Sequence, residues 1–312
     1  SSFFEDVNGD GIADIVHATE TGANAIYVYL GRGDGSFEKT AITTTGMQTG
    51  TDGYLFAGQS NAEQSFMADV DGDGKLDYAF SGNDNKMNVW RGNGDGTFQL
   101  SRITTVMTGA NVYTLAGMWY GETSFMKDVN ADGKADLVVI NEGDGNSIRT
   151  WLASSDGFFQ TAPVLTLNMQ ATAGSVFTGI WVNENSGIVD VNNDGKPDYI
   201  HSNELDSNND IYVFLGNGNG SFSSTWIRSV VNNPAGTSFQ VMGEGASEYG
   251  EFIDVTSDGN IDYVTSHEGL GVNSGIYVYP GIGNGFFAPE PIVTNLNSTC
   301  TPFQTGRDAT ET

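Results

Sequence analysis

Short runs of alternating apolar and polar residues recur along the chain, each closed by glycine, asparagine or aspartate. The runs "IYVYLG" at Ile26, "MNVWRG" at Met87, "IRTWLA" at Ile148, "IYVFLG" at Ile211 and "IYVYPG" at Ile276 have the two-residue period of a strand. A Gly-rich turn follows each, and Phe37, Phe98, Phe159, Phe222 or Phe287 then opens another short run such as "EKTAITT". No window sustains a helical period, and proline is scarce. The pattern predicts short strands joined by tight hairpins, an all-β fold.

A second motif sets the organisation. "DVNGDGIAD" at Asp6 returns as "DVDGDGKLD" at Asp69, "DVNADGKAD" at Asp128, "DVNNDGKPD" at Asp190 and "DVTSDGNID" at Asp254. The first aspartates are 63, 59, 62 and 64 residues apart. Five copies of one supersecondary unit therefore fill the 312 residues, and a unit this small buries its faces only against its neighbours. One domain spanning 1–312 is expected, not two.

Each nine-residue loop places side-chain oxygens at positions 1, 3, 5 and 9. They are Asp6, Asn8, Asp10 and Asp14 in the first copy, and Asp69, Asp71, Asp73 and Asp77 in the second. The third has Asp128, Asn130, Asp132 and Asp136; the fourth has Asp190, Asn192, Asp194 and Asp198; the fifth has Asp254, Thr256, Asp258 and Asp262. Position 6 is glycine, which allows a sharp turn, and position 7 (Ile12, Lys75, Lys134, Lys196 or Asn260) offers a backbone carbonyl. Oxygen donors at alternating positions suit Ca²⁺, and a divalent ion turns the mutual repulsion of such crowded carboxylates into a staple. Solvated Asp/Gly turns are the plainer explanation, against which stand five copies in register. An EF-hand fits less well still, because position 12 of the first loop is His17 instead of Glu and no helix flanks any copy. Up to five Ca²⁺ ions are expected, the fifth loop binding most weakly because Thr256 replaces Asp or Asn.

These loops, preceded by strands such as "SFM" and followed by strands such as "YAF", resemble the FG-GAP or VCBS repeats of integrin α-subunit propellers and of many secreted bacterial proteins. The resemblance spans the whole chain. It implies a five-bladed β-propeller with four strands per blade, the calcium loop joining the first strand to the second. The tail "FQTGRDATET" from Phe303, joined to "SSFFEDV" at Ser1, reproduces the connection between blades, so the terminal segments are expected to close the ring and five blades to complete it.

Composition narrows the partners. A formal charge of −27 with only 12 Lys and Arg repels phosphate backbones and anionic lipid, so neither nucleic acid nor a membrane surface is expected to bind. Cys300 is the single cysteine and has no internal partner for a disulfide. No apolar run approaches the length of a membrane span, and no basic-then-apolar leader stands at Ser1, so any export signal is expected to lie outside this sequence. Millimolar calcium outside cells points to secretion or surface display.

The repeats share more than the loops. Six residues before the first Asp stand Glu63, Glu122, Glu184 and Glu248, with Glu311 one place out of register for the first blade. Fourteen residues after it stand Glu20, Asn83, Glu142, Glu204 and Glu268. These offsets predict that the two sets face each other across the first hairpin, about 20 Å from the calcium at ~3.3 Å per residue, as a ring of carboxylates on the opposite face. Copying of surface residues by duplication is the plain account; a site for a cation, an amine or sugar hydroxyls is the functional one. Trp119 and Trp181 share an offset of nine before the loop Asp, and Arg307 stands in the matching tail. An aromatic ring beside carboxylates suits a pyranose or a cationic group, although packing between blades is a common use of such a Trp. His17 and His201 share an offset that predicts burial between blades, whereas His267 adjoins Glu268 and is the histidine with functional potential. "RGD" at Arg32 corresponds to "NGD" at Asn93 and "NGN" at Asn217, and reads as turn chemistry.

Three functions fit this sequence. The first is a secreted or surface binding module, lectin-like or adhesive, presenting the Glu/Trp face to a glycan or surface ligand. The second is a polysaccharide lyase or glycosidase using paired carboxylates, and the third a structural domain of a larger surface protein. A catalytic site in a repeated ring should break the symmetry. The glutamates are alike between blades, which favours binding.

Overall fold

Alternation along the chain is realised as strands, and the burial of those strands shows what covers them. The computed structural model describes residues 1–19, 24–47, 64–81, 85–108, 122–141, 146–170, 185–203, 209–232, 248–267 and 275–295. Among these there are strands and turns but no helix. The strands form five four-stranded antiparallel sheets, one per repeat, each paired in chain order. This is the five-bladed β-propeller that the resemblance implies.

Blade 1 comprises β1 (Ser2–Glu5), β2 (Asp14–Thr19), β3 (Ala25–Tyr29) and β4 (Ile42–Thr44). Blade 2 comprises β5 (Gln64–Ala68), β6 (Asp77–Ser81), β7 (Lys86–Trp90) and β8 (Ile103–Val106). Blade 3 has β9 (Glu122–Lys127), β10 (Asp136–Asn141), β11 (Ser147–Trp151) and β12 (Val164–Thr166). Blade 4 has β13 (Asn185–Val189), β14 (Asp198–Asn203), β15 (Asn209–Phe214) and β16 (Ile227–Val231). Blade 5 has β17 (Glu248–Ile253), β18 (Asp262–His267) and β19 (Gly275–Tyr279), a small hairpin of β20 (Gly281–Gly283) and β21 (Phe286–Phe287), and β22 (Ile292–Asn295). Every acidic loop joins the first strand of its blade to the second.

The chain divides into two compact units. One holds Ser1–Trp119, Ser124–Val139 and Arg149–Val164; the other holds Tyr120–Thr123, Ile140–Ile148 and Leu165–Thr312. The dividing line runs across blade 3. The tail expected to close the ring, Phe303 to Thr312, lies outside the described residues, as does Cys300.

Within each unit the blades meet through complementary faces. Val7, Val16, Ile26 and Val28 of blade 1 pack against Tyr78, Phe80, Trp90 and Phe98 of blade 2. Val70, Ala79 and Val89 of blade 2 meet Leu137, Val139, Trp151 and Phe159 of blade 3. In the other unit Val191, Ile200 and Val213 of blade 4 meet Tyr263, Tyr279 and Phe287 of blade 5. Small aliphatic residues on one sheet leave room for rings from the next, and such burial supplies roughly 1.5–3 kcal/mol per large side chain. β6, covered on both faces, is buried at every residue.

A polar peg accompanies each of these contacts, and a fourth joins blade 3 to blade 4. The hydroxyls of Thr44, Thr105, Thr166 and Ser229 accept the backbone N–H of Phe98, Phe159, Phe222 and Phe287, respectively, at 3.0 to 3.1 Å. Phe98, Phe159 and Phe287 are thus fixed by ring and amide to the preceding blade, and Phe222 by its amide. His201 is buried as expected, but His17 is exposed and bonds to Ser2. His17 lies on the sheet face turned away from blade 2, opposite to Val16 and Ala18.

Candidate metal centres

The local sequence folds every acidic loop in the same way. Positions 4 and 6 both take left-handed backbone conformations: Gly9 and Gly11, Gly72 and Gly74, Ala131 and Gly133, Asn193 and Gly195, Ser257 and Gly259. Two left-handed residues two apart coil the chain so that amide N–H groups converge on the position 1 carboxylate. Asp69 accepts from Gly72 and Gly74 at 2.8 Å and from Asp73 at 3.2 Å. Asp6, Asp128, Asp190 and Asp254 each accept from the position 6 glycine at 2.8 to 3.0 Å. These bonds, led by that from Gly11, hold the Asp6 carboxyl below its ordinary value.

At position 3, the side-chain oxygens of Asn8, Asn130 and Asn192 accept the position 5 amide at 2.9 to 3.0 Å. Position 5 accepts in turn from the residue at position 7: Asp10 from Ile12, Asp73 from Lys75, Asp132 from Lys134, Asp194 from Lys196 and Asp258 from Asn260. The lysines also pair with the position 5 carboxylates, Lys75 with Asp73 at 3.3 Å, Lys134 with Asp132 at 2.9 Å and Lys196 with Asp194 at 3.1 Å. In the fifth loop the Thr256 amide bonds to Asp262 at 3.0 Å.

Position 9 has a second task that spacing alone did not show. Asp77 accepts the Val70 amide at 3.0 Å through one oxygen and the Gly92 amide at 2.9 Å through the other. Asp14, Asp136, Asp198 and Asp262 bridge in the same way to Gly31, Ala153, Gly216 and Gly281. All five are buried, so each clamps its loop to the end of the third strand. In four blades close approach explains the glycine there: a Cβ on Gly92 would collide with the Leu76 carbonyl, and one on Gly31, Gly216 or Gly281 with the Ala13, Pro197 or Ile261 carbonyl. Blade 3 carries Ala153 instead. Burial pushes Asp77 and Asp136 up to about 7 and Asp198 up to about 6, against the pull of those amide bonds.

The donor set fits a hard divalent cation. In loop 2, Asp69, Asp71 and Asp77 each bring a carboxylate oxygen within 4.8 Å of the others. Those donors are oxygens only, on a loop prearranged by its own backbone, which is what calcium uses. Asp69, Asp71, Asp73 and Asp77, with the Lys75 carbonyl, would hold the ion there, and the matching positions would hold it in the other loops.

The FG-GAP-like repeat family matches residues 6–61 and 69–117, the first two of the five repeats. Repeats three to five continue the same loop, the same four-stranded sheet and the same polar peg. The chain carries FG-GAP-like repeats in a β-propeller fold. No curated protein matches it. Among solved structures, this propeller is similar to BBS1N, crystallised in complex with ARL6DN and soaked with lead, at 13% identity and a TM-score of 0.38 over 94% of this chain and 82% of that one. It is also similar to the exotype rhamnogalacturonan lyase YesX, at 14% identity and a TM-score of 0.36 over 89% of this chain and 57% of that one. Both likenesses are too weak to bear on function. The propeller fold serves binding and structural modules alike. Among the described residues no helix is long and apolar enough to cross a membrane.

The expected ligand face lies largely outside the described residues. Glu20, Glu63, Glu142, Glu184, Glu204, Glu268, Trp119, Trp181 and Arg307 lie outside the described residues, and Glu122, Glu248 and His267 are placed on strands without a description of their side chains. The register corrects one expectation. Glu248 lies opposite His267, not Glu268, because β17 and β18 close on the pair Ile253 and Asp262. Blades 1, 2 and 4 close on the equivalent pairs. The hairpin's symmetry point therefore falls between two residues, so a residue six before the first Asp faces the one thirteen after it. "RGD" behaves as a turn: Arg32 pairs with Glu38 at 2.8 Å, and Asp34 accepts the Ser36 amide at 2.9 Å.

Sequence reasoning also passed over Arg91. Its Nε lies 2.8 Å from an Asp71 oxygen. The signal was present in the aligned third strands, where "MNVWRG" carries Arg in place of Leu30, Leu152 and Leu215.

Proposed function

We propose that this propeller is secreted or displayed at a surface, stapled by Ca²⁺ at up to five loops, and works as a binding module, lectin-like or adhesive. The observation that carries the calcium reading is the convergence of Asp69, Asp71 and Asp77 within 4.8 Å on a loop whose backbone conformation recurs in all five repeats. Each ion would neutralise carboxylates at the start of a blade and tie its first two strands together. With metal supplying stability, the connections at the opposite end are free to vary for recognition.

A glycan or surface ligand would be met there, by the repeated glutamates with Trp119, Trp181, His267 and Arg307. What supports this is the likeness of the glutamates between blades, together with a net charge of −27 that disfavours polyanions. A glycan array in millimolar calcium, comparing the wild type with a Glu142→Gln, Glu204→Gln double variant, tests the reading. Binding that the double variant weakens is expected. Silence across neutral and acidic glycans in both proteins would leave the propeller a structural domain.

A further inference from the structure

Loop 2 differs from its four sisters in charge. Counting positions 1, 3, 5 and 9, it carries four carboxylates, Asp69, Asp71, Asp73 and Asp77, for a formal −4. Each other loop carries three, for −3, because position 3 is Asn8, Asn130, Asn192 or Thr256. Lysine at position 7 does not account for the difference, since loops 3 and 4 have it too. What loop 2 alone has among the described loops is a guanidinium: Arg91 Nε lies 2.8 Å from Asp71 Oδ2, with the side chains 30% and 6% exposed. Adding its +1 to −4 restores the −3 of the other loops.

Arg91 is held in place from two blades. It leaves β7 just before Gly92, whose amide is clamped by Asp77, another member of the same loop. On its other side comes the hairpin of blade 3: a Cβ on Gly157, which has a φ of +73°, would lie 3.5 Å from Arg91 Nε and 3.6 Å from Nη2. The substitution also replaces an internal bond. In loops 1 and 3 the position 3 amide donates to the position 5 carboxylate, Asn8 to Asp10 at 3.0 Å and Asn130 to Asp132 at 3.2 Å. Asp71 has no proton to give to Asp73, so an external cation must supply the compensation.

We propose that Arg91 is the built-in counter-ion of loop 2, one that steadies the loop without metal and holds its calcium affinity below what four carboxylates would reach. Calcium affinity in oxygen-donor loops follows the ligand charge count, so neutralising one carboxylate weakens the site. The inference rests on the calcium reading of the loops. Its consequence is that Asp71 and Arg91 act as a unit, and that removing the pair converts loop 2 into an equivalent of loops 3 and 4.

The test is a Ca²⁺ titration of the full chain followed by ¹⁵N resonances of the position 6 glycines, Gly74 for loop 2 and Gly133 for loop 3. Arg91→Leu should move the Gly74 midpoint to lower calcium by about threefold to tenfold, as for an ion pair partly screened by water, and leave Gly133 in place. The same variant should melt earlier than the wild type in excess chelator. Adding Asp71→Asn should return both measurements to near wild-type values. Arg91→Gln, which keeps the stem against Gly157, should tighten Gly74 in the same way and serves if the leucine variant does not fold. A Gly74 midpoint that stays put or rises in both Arg91 variants, while Gly133 still titrates, would overturn the counter-ion role and leave the calcium reading intact. If neither glycine responds to calcium in the wild type, both fall.

Discussion

Thr44 is the peg by which blade 1 holds blade 2, and replacing it with valine isolates one hydrogen bond. The Thr44 hydroxyl accepts the Phe98 amide at 3.1 Å, and both residues are buried, 6% and 4% exposed. Valine has nearly the same shape, so packing is conserved while the amide of Phe98 loses its acceptor. A buried donor left unpaired costs about 1–3 kcal/mol. With an unfolding entropy of about 2.1 cal/mol/K per residue, the 312-residue chain unfolding as one would melt about 1.5 to 4.5 °C lower. Thr43→Val, one residue away on exposed surface, is the control and should stay within about 0.5 kcal/mol. The measurement is urea and thermal unfolding of both variants, in millimolar calcium and again in chelator, because the peg does not touch the acidic loop and its effect should be the same in each. If Thr44→Val matches Thr43→Val, the amide finds another partner and the peg is incidental.

Other expectations concern the loops and the buried histidine. Chelation should lower the melting temperature by many degrees, and Asp73→Ala should empty one site, with Asp258→Ala mattering less; an unchanged melting curve after confirmed metal removal would contradict this. Ala131→Gly should stabilise by about 0.5–1 kcal/mol, since Ala131 holds a φ of 60° that costs an L-residue energy, and a lower denaturant midpoint would refute it. His201 stacks with Tyr199 and Tyr212, among the described residues neither ring nitrogen has a hydrogen-bond partner, and burial pushes it down to about 3. A folded value below the ordinary 6.5 means that the unfolded chain takes up a proton the folded one refuses. Stability is then intact above 6.5 and lost as pH falls toward 3, by about 2 kcal/mol at pH 5. His201→Phe, the residue found as Phe80 in blade 2, should flatten the acid limb relative to the wild type, and parallel limbs would falsify this assignment.

Much of this protein is determined by interactions a few residues long, and those were legible. The strands follow from a two-residue period, and the acidic loops from oxygens at alternating positions with a glycine at the sixth, so five repeats and their blades could be counted before any coordinates. The second left-handed position was hidden because Gly9 and Gly72 announce it while Ala131, Asn193 and Ser257 do not. Register was misjudged by one residue: the position 9 aspartate is at once the end of the loop and the first residue of β2, β6, β10, β14 and β18, a fact set by strand pairing.

What only the tertiary structure decided depends on groups far apart in sequence. The clamp from Asp77 to Gly92 spans 15 residues, the peg from Thr44 to Phe98 spans 54, and the pair of Asp71 with Arg91 spans 20. Each part is visible in the repeat, but a hydrogen bond or ion pair acts over about 3 Å, and no spacing along the chain fixes which atoms come that close. His17 and His201 show the same limit. One offset places both on the same strand position, yet His201 is a buried neutral ring and His17 is exposed.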